Sequence, residues 1–166
     1  VGQVYVDLSI ETTRTKERRI QNIITVGCRH YDDALIFIKA VHRNQDLVQG
    51  LLSFIVAAAK INQVQEECYR GGNWAYDAAA EEVLVLHTLV VSPGVKGGGY
   101  GTAFVGFYED CAKKMGCKYL RMDTNAKNTA ARTLYQKLGY RESGIVPTVF
   151  NGIAGVDLVL LEKKLF

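Results

Sequence analysis

The chain has 166 residues, enough for one domain with a proper buried core. Its apolar share of 48% and charged share of 22% exclude disorder as the main state. Its net charge of +3 gives no sign of a dedicated nucleic-acid binder, although it suits a polyanionic small ligand. Cys28, Cys68, Cys111 and Cys117 match neither a disulfide scaffold nor a zinc pattern, so reduced thiols, a cytoplasmic setting and no metal are expected.

In chain order, Val4–Ile10 alternates apolar and polar residues and predicts a strand. Thr12 or Thr13 is placed to cap a helix over 14–26, with Ile20, Ile23, Ile24 and Gly27 as its stripe. Asp32 or Asp33 caps a second predicted helix, with Ala34, Leu35, Ile38, Val41 and His42 on one side. Two closely joined strands follow, Leu47–Leu52 and Phe54–Asn62, whose apolar density predicts a buried sheet centre. The apolar run Leu47–Ile61 is too short and too interrupted to span a bilayer, and no membrane partner is expected. Residues 63–81 are polar, with Gly71-Gly72-Asn73 ahead of Trp74 and Tyr76, and read as a long loop of the kind that carries function.

The strand Val83–Val91 stops at Ser92-Pro93-Gly94. Beyond a glycine-rich stretch, Phe104, Phe107, Tyr108, Cys111, Ala112 and Met115 are spaced for the buried face of a helix that Gly116 ends. Lys118–Thr124 predicts a strand, and Thr129–Leu138 a helix capped by Asn128 and closed by Gly139. Val146–Phe150, the Asn151-Gly152 turn and Val156–Leu161 form a closing hairpin. No signal peptide opens the chain, and it starts at Val1 rather than Met, which leaves its natural N-terminus open. Without linker or repeat, residues 1–166 read as a single domain. The order β-α-α-β-β-β-α-β-α-β-β predicts an α/β (α+β) fold, a mixed sheet with helices on its faces.

The chemistry begins where that strand runs through Val95-Lys96-Gly97-Gly98-Gly99-Tyr100-Gly101-Thr102 into a helix. Glycines let the backbone approach a ligand, and the first N–H groups of a helix point outward, which suits a phosphate or pyrophosphate. The spacing fits two nucleotide motifs poorly. Gly101-Thr102 lacks the lysine of a P-loop, and Gly97 and Gly99 are followed by Thr102 where a dinucleotide fingerprint needs glycine.

Lys96-Gly-Gly-Gly-Tyr-Gly101 resembles the Arg/Gln-x-x-Gly-x-Gly/Ala signature of the GNAT superfamily of acetyl-CoA-dependent N-acetyltransferases, with Leu89, Val91 and Pro93 matching its preceding Leu-x-Val-x-Pro run. Asn128, Ala131, Leu134-Tyr135 and Gly139-Tyr140 resemble the family's second signature, in the right order. The resemblance covers residues 80–166 well and the first 70 only in outline. Lys96 departs from the commoner Arg or Gln but keeps a positive charge. The resemblance implies the GNAT acyl-CoA N-acyltransferase fold, with a mostly antiparallel sheet and helices on both faces. It implies coenzyme A held through its pyrophosphate by the amides of Val95 to Thr102, through its pantetheine arm by the backbone at Leu89 and Val91, and beside Asn128 and Tyr135.

Acyl transfer from a thioester to an amine needs a neutral amine and a proton for the departing thiolate. By the resemblance, Tyr135 sits near the sulfur and is the candidate acid; the alternative is a core aromatic, since Leu134 and Leu138 pack inward. Asn128 has the plainer role of a helix cap. His87 is the candidate base, its ordinary pKa near neutrality, and His87-x-Leu89-x-Val91 resembles a run in arylalkylamine N-acetyltransferases. A histidine packed in a strand is the competing reading, and Glu81 and Glu82 are alternative bases. Asp123 is placed to orient an amine, while Trp74, Tyr76 and Phe150 are candidate walls for the acceptor.

The reading is an N-acetyltransferase that moves an acetyl group from acetyl-CoA to a primary amine, on a small molecule or a peptide, by direct transfer in a ternary complex. A non-catalytic acyl-CoA-binding module of the same fold is the rival. The hairpin that ends at Phe166 offers a surface for a homodimer.

Overall fold

The computed structural model describes residues 22–27, 34–40, 54–150 and 152–166, with side chains from 57 onward except that of Phe150. Among the described residues the elements are β1 (Asn22–Gly27), β2 (Ala34–Ala40), β3 (Phe54–Asn62), β4 (Val83–Val91), α1 (Tyr100–Met115), β5 (Tyr119–Asn125), α2 (Thr129–Lys137), β6 (Arg141–Phe150) and β7 (Ile153–Lys164). They fall into two compact units. One comprises the described residues up to Ile61 together with Thr88–Phe104; the other comprises Asn62–His87 and Val105–Phe166.

In the first unit β1 and β2 pair antiparallel, from Asn22 opposite Lys39 to Gly27 opposite Ala34. β2 pairs antiparallel with β3, with a register shift between Ile38 and Lys39. This overturns two expectations. The helix predicted over 14–26 is a strand from Asn22 onward, and the helix predicted after Asp33 is β2. Ile23-Ile24-Thr25-Val26 are four successive β-branched residues, stiff at χ1 and suited to extended backbone. Leu35-Ile36-Phe37-Ile38 has no polar position for a solvated helix face, but it suits a strand covered on both sides. The strands predicted at Val4–Ile10 and Leu47–Leu52, and the predicted helix positions Val41 and His42, lie outside the described residues.

In the second unit the strand order is β4-β5-β7-β6. β4 and β5 run parallel, with their ladder extending from Val83 opposite Tyr119 to Leu86 opposite Met122. β5 pairs antiparallel with β7, and β7 with β6. The sheet is therefore mixed and mostly antiparallel. Only parallel strands need a crossover, and α1 provides it. Phe150 pairs with Ile153 across a two-residue connection, as the hairpin signal required.

Alternation along the strands sorts the core. Val83 and Val85 of β4 join Tyr69, Val146, Leu158 and Leu160 in one buried cluster, which Cys68, Trp74 and Ala78 pack against. Residues 63–81 thus cover this face of the sheet, as an extended segment with short 3-10 turns at Glu67–Gly71 and Ala80–Glu82. From α1, the Tyr108 hydroxyl donates to the carbonyls of Leu84 (2.6 Å) and Arg121 (3.1 Å). Phe104, Phe107, Tyr108 and Ala112 are buried along α1 as predicted, and Val105 joins them. Met115 does not: it sits in the last turn before Gly116 and is 54% exposed.

Charges fasten the covering segment. Glu162 of β7 is buried and lies opposite Arg121 of β5 and Arg141 of β6. Its Oε1 accepts from Arg141 Nη2 (2.6 Å), the Ala75 amide (2.6 Å) and Ser143 Oγ (3.1 Å). Arg121, also buried, donates to Gln65 Oε1 (2.5 Å) and to the Tyr76 carbonyl (2.9 Å). Arg141 is half-exposed, so solvent screens part of its pair with Glu162, while Arg121 is held by two neutral acceptors and its Nε has no partner among the described residues.

Candidate functional site

The glycine-rich stretch lies wholly in the first unit, together with Leu89 and Val91. Pro93–Val95 makes a short 3-10 turn, and α1 starts at Tyr100. Four amides of the stretch are engaged internally. Val95 donates to Ser92 O, Lys96 to Pro93 O, Gly98 to Val95 O and Ala103 to Gly99 O. The amides of Gly97, Gly99, Tyr100, Gly101 and Thr102 have no acceptor among the described residues. Gly97 (φ +78°) and Gly99 (φ +82°) hold the left-handed conformation that turns these groups outward, and a Cβ on either would meet nothing within 4 Å. The open space and the row of donors at a helix N-terminus fit a pyrophosphate, and the exposed Lys96 adds positive charge.

The remaining candidates lie in the second unit, and the side chain of Phe150 is outside the described residues. Asn128 caps α2, its Oδ1 accepting from the Ala131 amide at 3.1 Å. Tyr135, one face along the same helix, is only 6% exposed. Its hydroxyl has no hydrogen-bond partner among the described residues, although the oxygen is not sealed from solvent. Burial, with the Asp123 carboxylate adding to it, pushes the phenol pKa up to about 12, so it stays protonated across the working pH range.

His87, on the same strand face as Val83 and Val85, is engaged at both ring nitrogens. Nε2 lies 2.5 Å from Asn62 Oδ1, and Nδ1 lies 3.2 Å from Glu66 Oε1. The Val64 amide also donates to Asn62 Oδ1 (2.9 Å), which marks that atom as an acceptor and places the Nε2 proton on His87. The ring's other nitrogen therefore faces a carboxylate.

Asp123 follows two residues after Arg121 on β5. Its Oδ2 accepts from the buried Tyr69 hydroxyl at 2.8 Å. Burial raises the Asp123 pKa above the ordinary carboxylate value, the Tyr69 hydrogen bond works against this, and Glu66 adds to it. Tyr69 in turn is held well above a normal phenol by burial and by Asp123, so it remains the donor of that bond. Glu66 and Tyr69 are site residues that the sequence did not single out; the only signal was the length of the 63–81 loop.

Glu82 pairs with Lys118 at 2.6 Å, which holds its carboxyl below the ordinary value and makes it a poorer base. Glu81 is exposed. Trp74 donates from its indole to the Tyr69 carbonyl (2.8 Å), its ring is 5.6 Å from that of Tyr69, and the Arg121 guanidinium sits 4.2 Å from its centroid. One cation position on that ring is thus taken by the protein itself. Tyr76 is more open, its ring 5.3 Å from that of Tyr119.

A strand runs through a donor-rich glycine turn into a helix. Residues 11–140 match the model of the Acetyltransferase (GNAT) family, and the chain belongs to that family. An uncharacterized N-acetyltransferase of Methanocaldococcus jannaschii is 31% identical over 74 residues, which is 45% of this chain and 33% of that protein. The match therefore spans about a third of the relative's length. Among solved structures, a GNAT family acetyltransferase from Elizabethkingia anophelis with acetyl-CoA bound is similar in fold, with a TM-score of 0.55 and 20% identity; the match covers 81% of this chain and 77% of that one. A Bacillus subtilis acetyltransferase in complex with CoA gives a TM-score of 0.54 and 16% identity, covering 81% and 78%.

Proposed function

We propose that this chain transfers an acetyl group from acetyl-CoA to a primary amine, directly and within a ternary complex. The observation that carries the reading is the set of unengaged amides of Gly97 and of Gly99 to Thr102 at the start of α1. When bound, the coenzyme supplies the acetyl thioester. The Gly97, Gly99, Tyr100, Gly101 and Thr102 amides would hold its pyrophosphate, with Lys96 adding positive charge, and the backbone at Leu89 and Val91 would hold its amide arm. Tyr135 would give its hydroxyl proton to the departing sulfur. Its hydroxyl has no partner among the described residues and is not sealed from solvent, which supports this role over a packing role. The ammonium loses its proton in the polar cluster that contains His87 and Asp123. The acceptor is held from residues 63–81, with Tyr76 as its exposed aromatic.

The test is release of free thiol from acetyl-CoA across a panel of amines, beside calorimetry of coenzyme A binding. Thiol release that depends on the amine is expected. Tight binding with no turnover on any amine would leave an acyl-CoA-binding module instead.

A further inference from the structure

The second unit gathers polar groups from three elements around Asp123. β5 supplies Asp123 itself, residues 63–81 supply Glu66, Cys68 and Tyr69, and α2 supplies Tyr135. Tyr69 fixes Oδ2. Oδ1 has no partner among the described residues and is not sealed from solvent. The Asp123 charge reaches Cys68 and the unpartnered Tyr135 hydroxyl, and Glu66 adds a second negative charge. His87 meets this group through Glu66, its other nitrogen being committed to Asn62.

We propose that Asp123, oriented by Tyr69, binds the acceptor's ammonium at Oδ1 and takes its proton, so that the acceptor is a cationic primary amine and His87 positions Glu66. This rests on the reading of the chain as an amine acetyltransferase. In the step, one N–H bond of the ammonium breaks, its electron pair stays on nitrogen, and an O–H bond forms at Asp123 Oδ1. The proton then passes to water and restores the carboxylate. The Asp123 carboxylate attracts a cation, and the neutral Tyr69 and Tyr135 offer no competing positive charge, whereas Glu66 is already paired with His87. An alkylammonium has a pKa of about 10, so transfer to an ordinary carboxylate is steeply uphill. Burial narrows that gap from both sides, because it disfavours the ionised acid and the ionised amine alike. His87 is the weaker candidate on geometry, since an incoming ammonium would have to displace Glu66 from Nδ1.

The experiment compares wild type with Asp123→Asn, which preserves an acceptor for the Tyr69 hydroxyl. Acetyl-CoA turnover is measured with ethylamine and tyramine, which are protonated at pH 7, and with aminoacetonitrile and 2,2,2-trifluoroethylamine, which are largely neutral there. Melting temperature and coenzyme A affinity, measured on both proteins, establish that the variant is folded. The expected result is a fall in kcat/KM of about 100-fold or more with the protonated amines. The defect should shrink towards the neutral ones, because an amine that arrives without its extra proton needs no base. A purely structural carboxylate would impair all four equally, and that outcome, or a rate within threefold of wild type throughout, overturns the assignment while leaving amine acetylation intact. Wild-type protein that binds coenzyme A but acetylates none of the amines overturns the functional reading itself, and this inference with it.

Discussion

The donors at Gly97, Gly99 and Tyr100–Thr102 belong to the backbone, whereas the polar groups around Asp123 belong to side chains drawn from residues 62, 66, 69, 87, 123 and 135. The first region depends on conformation. Its amides are in place because two glycines hold positive φ and because a helix must leave its first N–H groups without partners. It buries no charge and stays open to water, so it is cheap to keep. The second region depends on side-chain identity and burial. It brings carboxylates and phenols into partial shelter from water, where Asp123 and Tyr135 are both harder to ionise. A backbone cradle suits a ligand whose chemistry is fixed, and a side-chain cluster suits a reaction and its acceptor. Substitutions should therefore hurt the two regions differently: affinity in the first, turnover in the second.

The largest expected effect is at Tyr135. Tyr135→Phe keeps the ring that stands 6.0 Å from Tyr140 and removes only the hydroxyl. General acid catalysis is typically worth about a hundred- to ten-thousand-fold. Single-turnover kinetics should show kcat falling within that range while the coenzyme A Kd stays put. With the phenol pKa near 12, the wild-type acid limb lies above any practical assay, so activity lost below pH 10 has another cause. A Tyr135→Phe enzyme with unchanged chemistry would return that ring to the core and erase half of the contrast.

Gly99→Val is the counterpart in the cradle. A Cβ there meets no protein atom within 4 Å, so within the protein the cost lies in the backbone, which a β-branched residue cannot hold at φ +82° without strain. Strain of this kind is worth about 1–3 kcal/mol, or roughly five- to 150-fold in coenzyme A affinity by calorimetry. Turnover at saturating coenzyme should change far less. Equal losses in Kd and kcat would show that the cradle does more than hold.

How far each region could be read from the sequence follows the same division. Gly97-Gly98-Gly99 and the helix after it are local, so their role is written in consecutive residues. β4, α2 and the capping Asn128 were legible for the same reason. The cluster is not local. Asp123 and His87 drew notice as titratable residues at strand positions, but nothing near Glu66 or Tyr69 announces that a folded segment brings them to β5. The failure at β1 and β2 has another cause. Ile20, Ile23, Ile24 and Gly27 fit a helical stripe, yet the same stretch holds Ile23-Ile24-Thr25-Val26, and ladder pairing with Ile36–Ile38 decides such ambiguous runs.

A smaller effect is expected at Tyr69. Tyr69→Phe removes the hydrogen bond to Asp123 Oδ2, the one influence that favours the ionised carboxylate. The Asp123 pKa should then rise further. Since Asp123 must be ionised to accept a proton, the ascending limb of kcat/KM should move to higher pH, with the plateau recovered in alkaline buffer. A rate lowered equally at every pH would mean that Tyr69 serves packing alone.

The smallest effect has the opposite sign and concerns stability. Asp123 is harder to ionise in the folded protein than in the unfolded chain, where its value is near 3.8. A carboxyl whose folded pKa is raised supports the fold while it is protonated, and that support is lost as pH rises through the folded value. At neutral pH the ionised group is therefore a burden on the fold. Asp123→Asn is neutral at every pH and can still accept the Tyr69 hydroxyl, so it escapes that burden. Its melting temperature should exceed the wild-type value at pH 7 to 8. The gain should fade as pH drops through the raised pKa and disappear below about 3.8, where both side chains are uncharged. Gly99→Val should show no such pH-dependent gain, because no ionisation is involved. A variant that is less stable than wild type across this range would mean that the Asp123 charge supports the fold, and the side-chain cluster would then be as cheap to keep as the cradle.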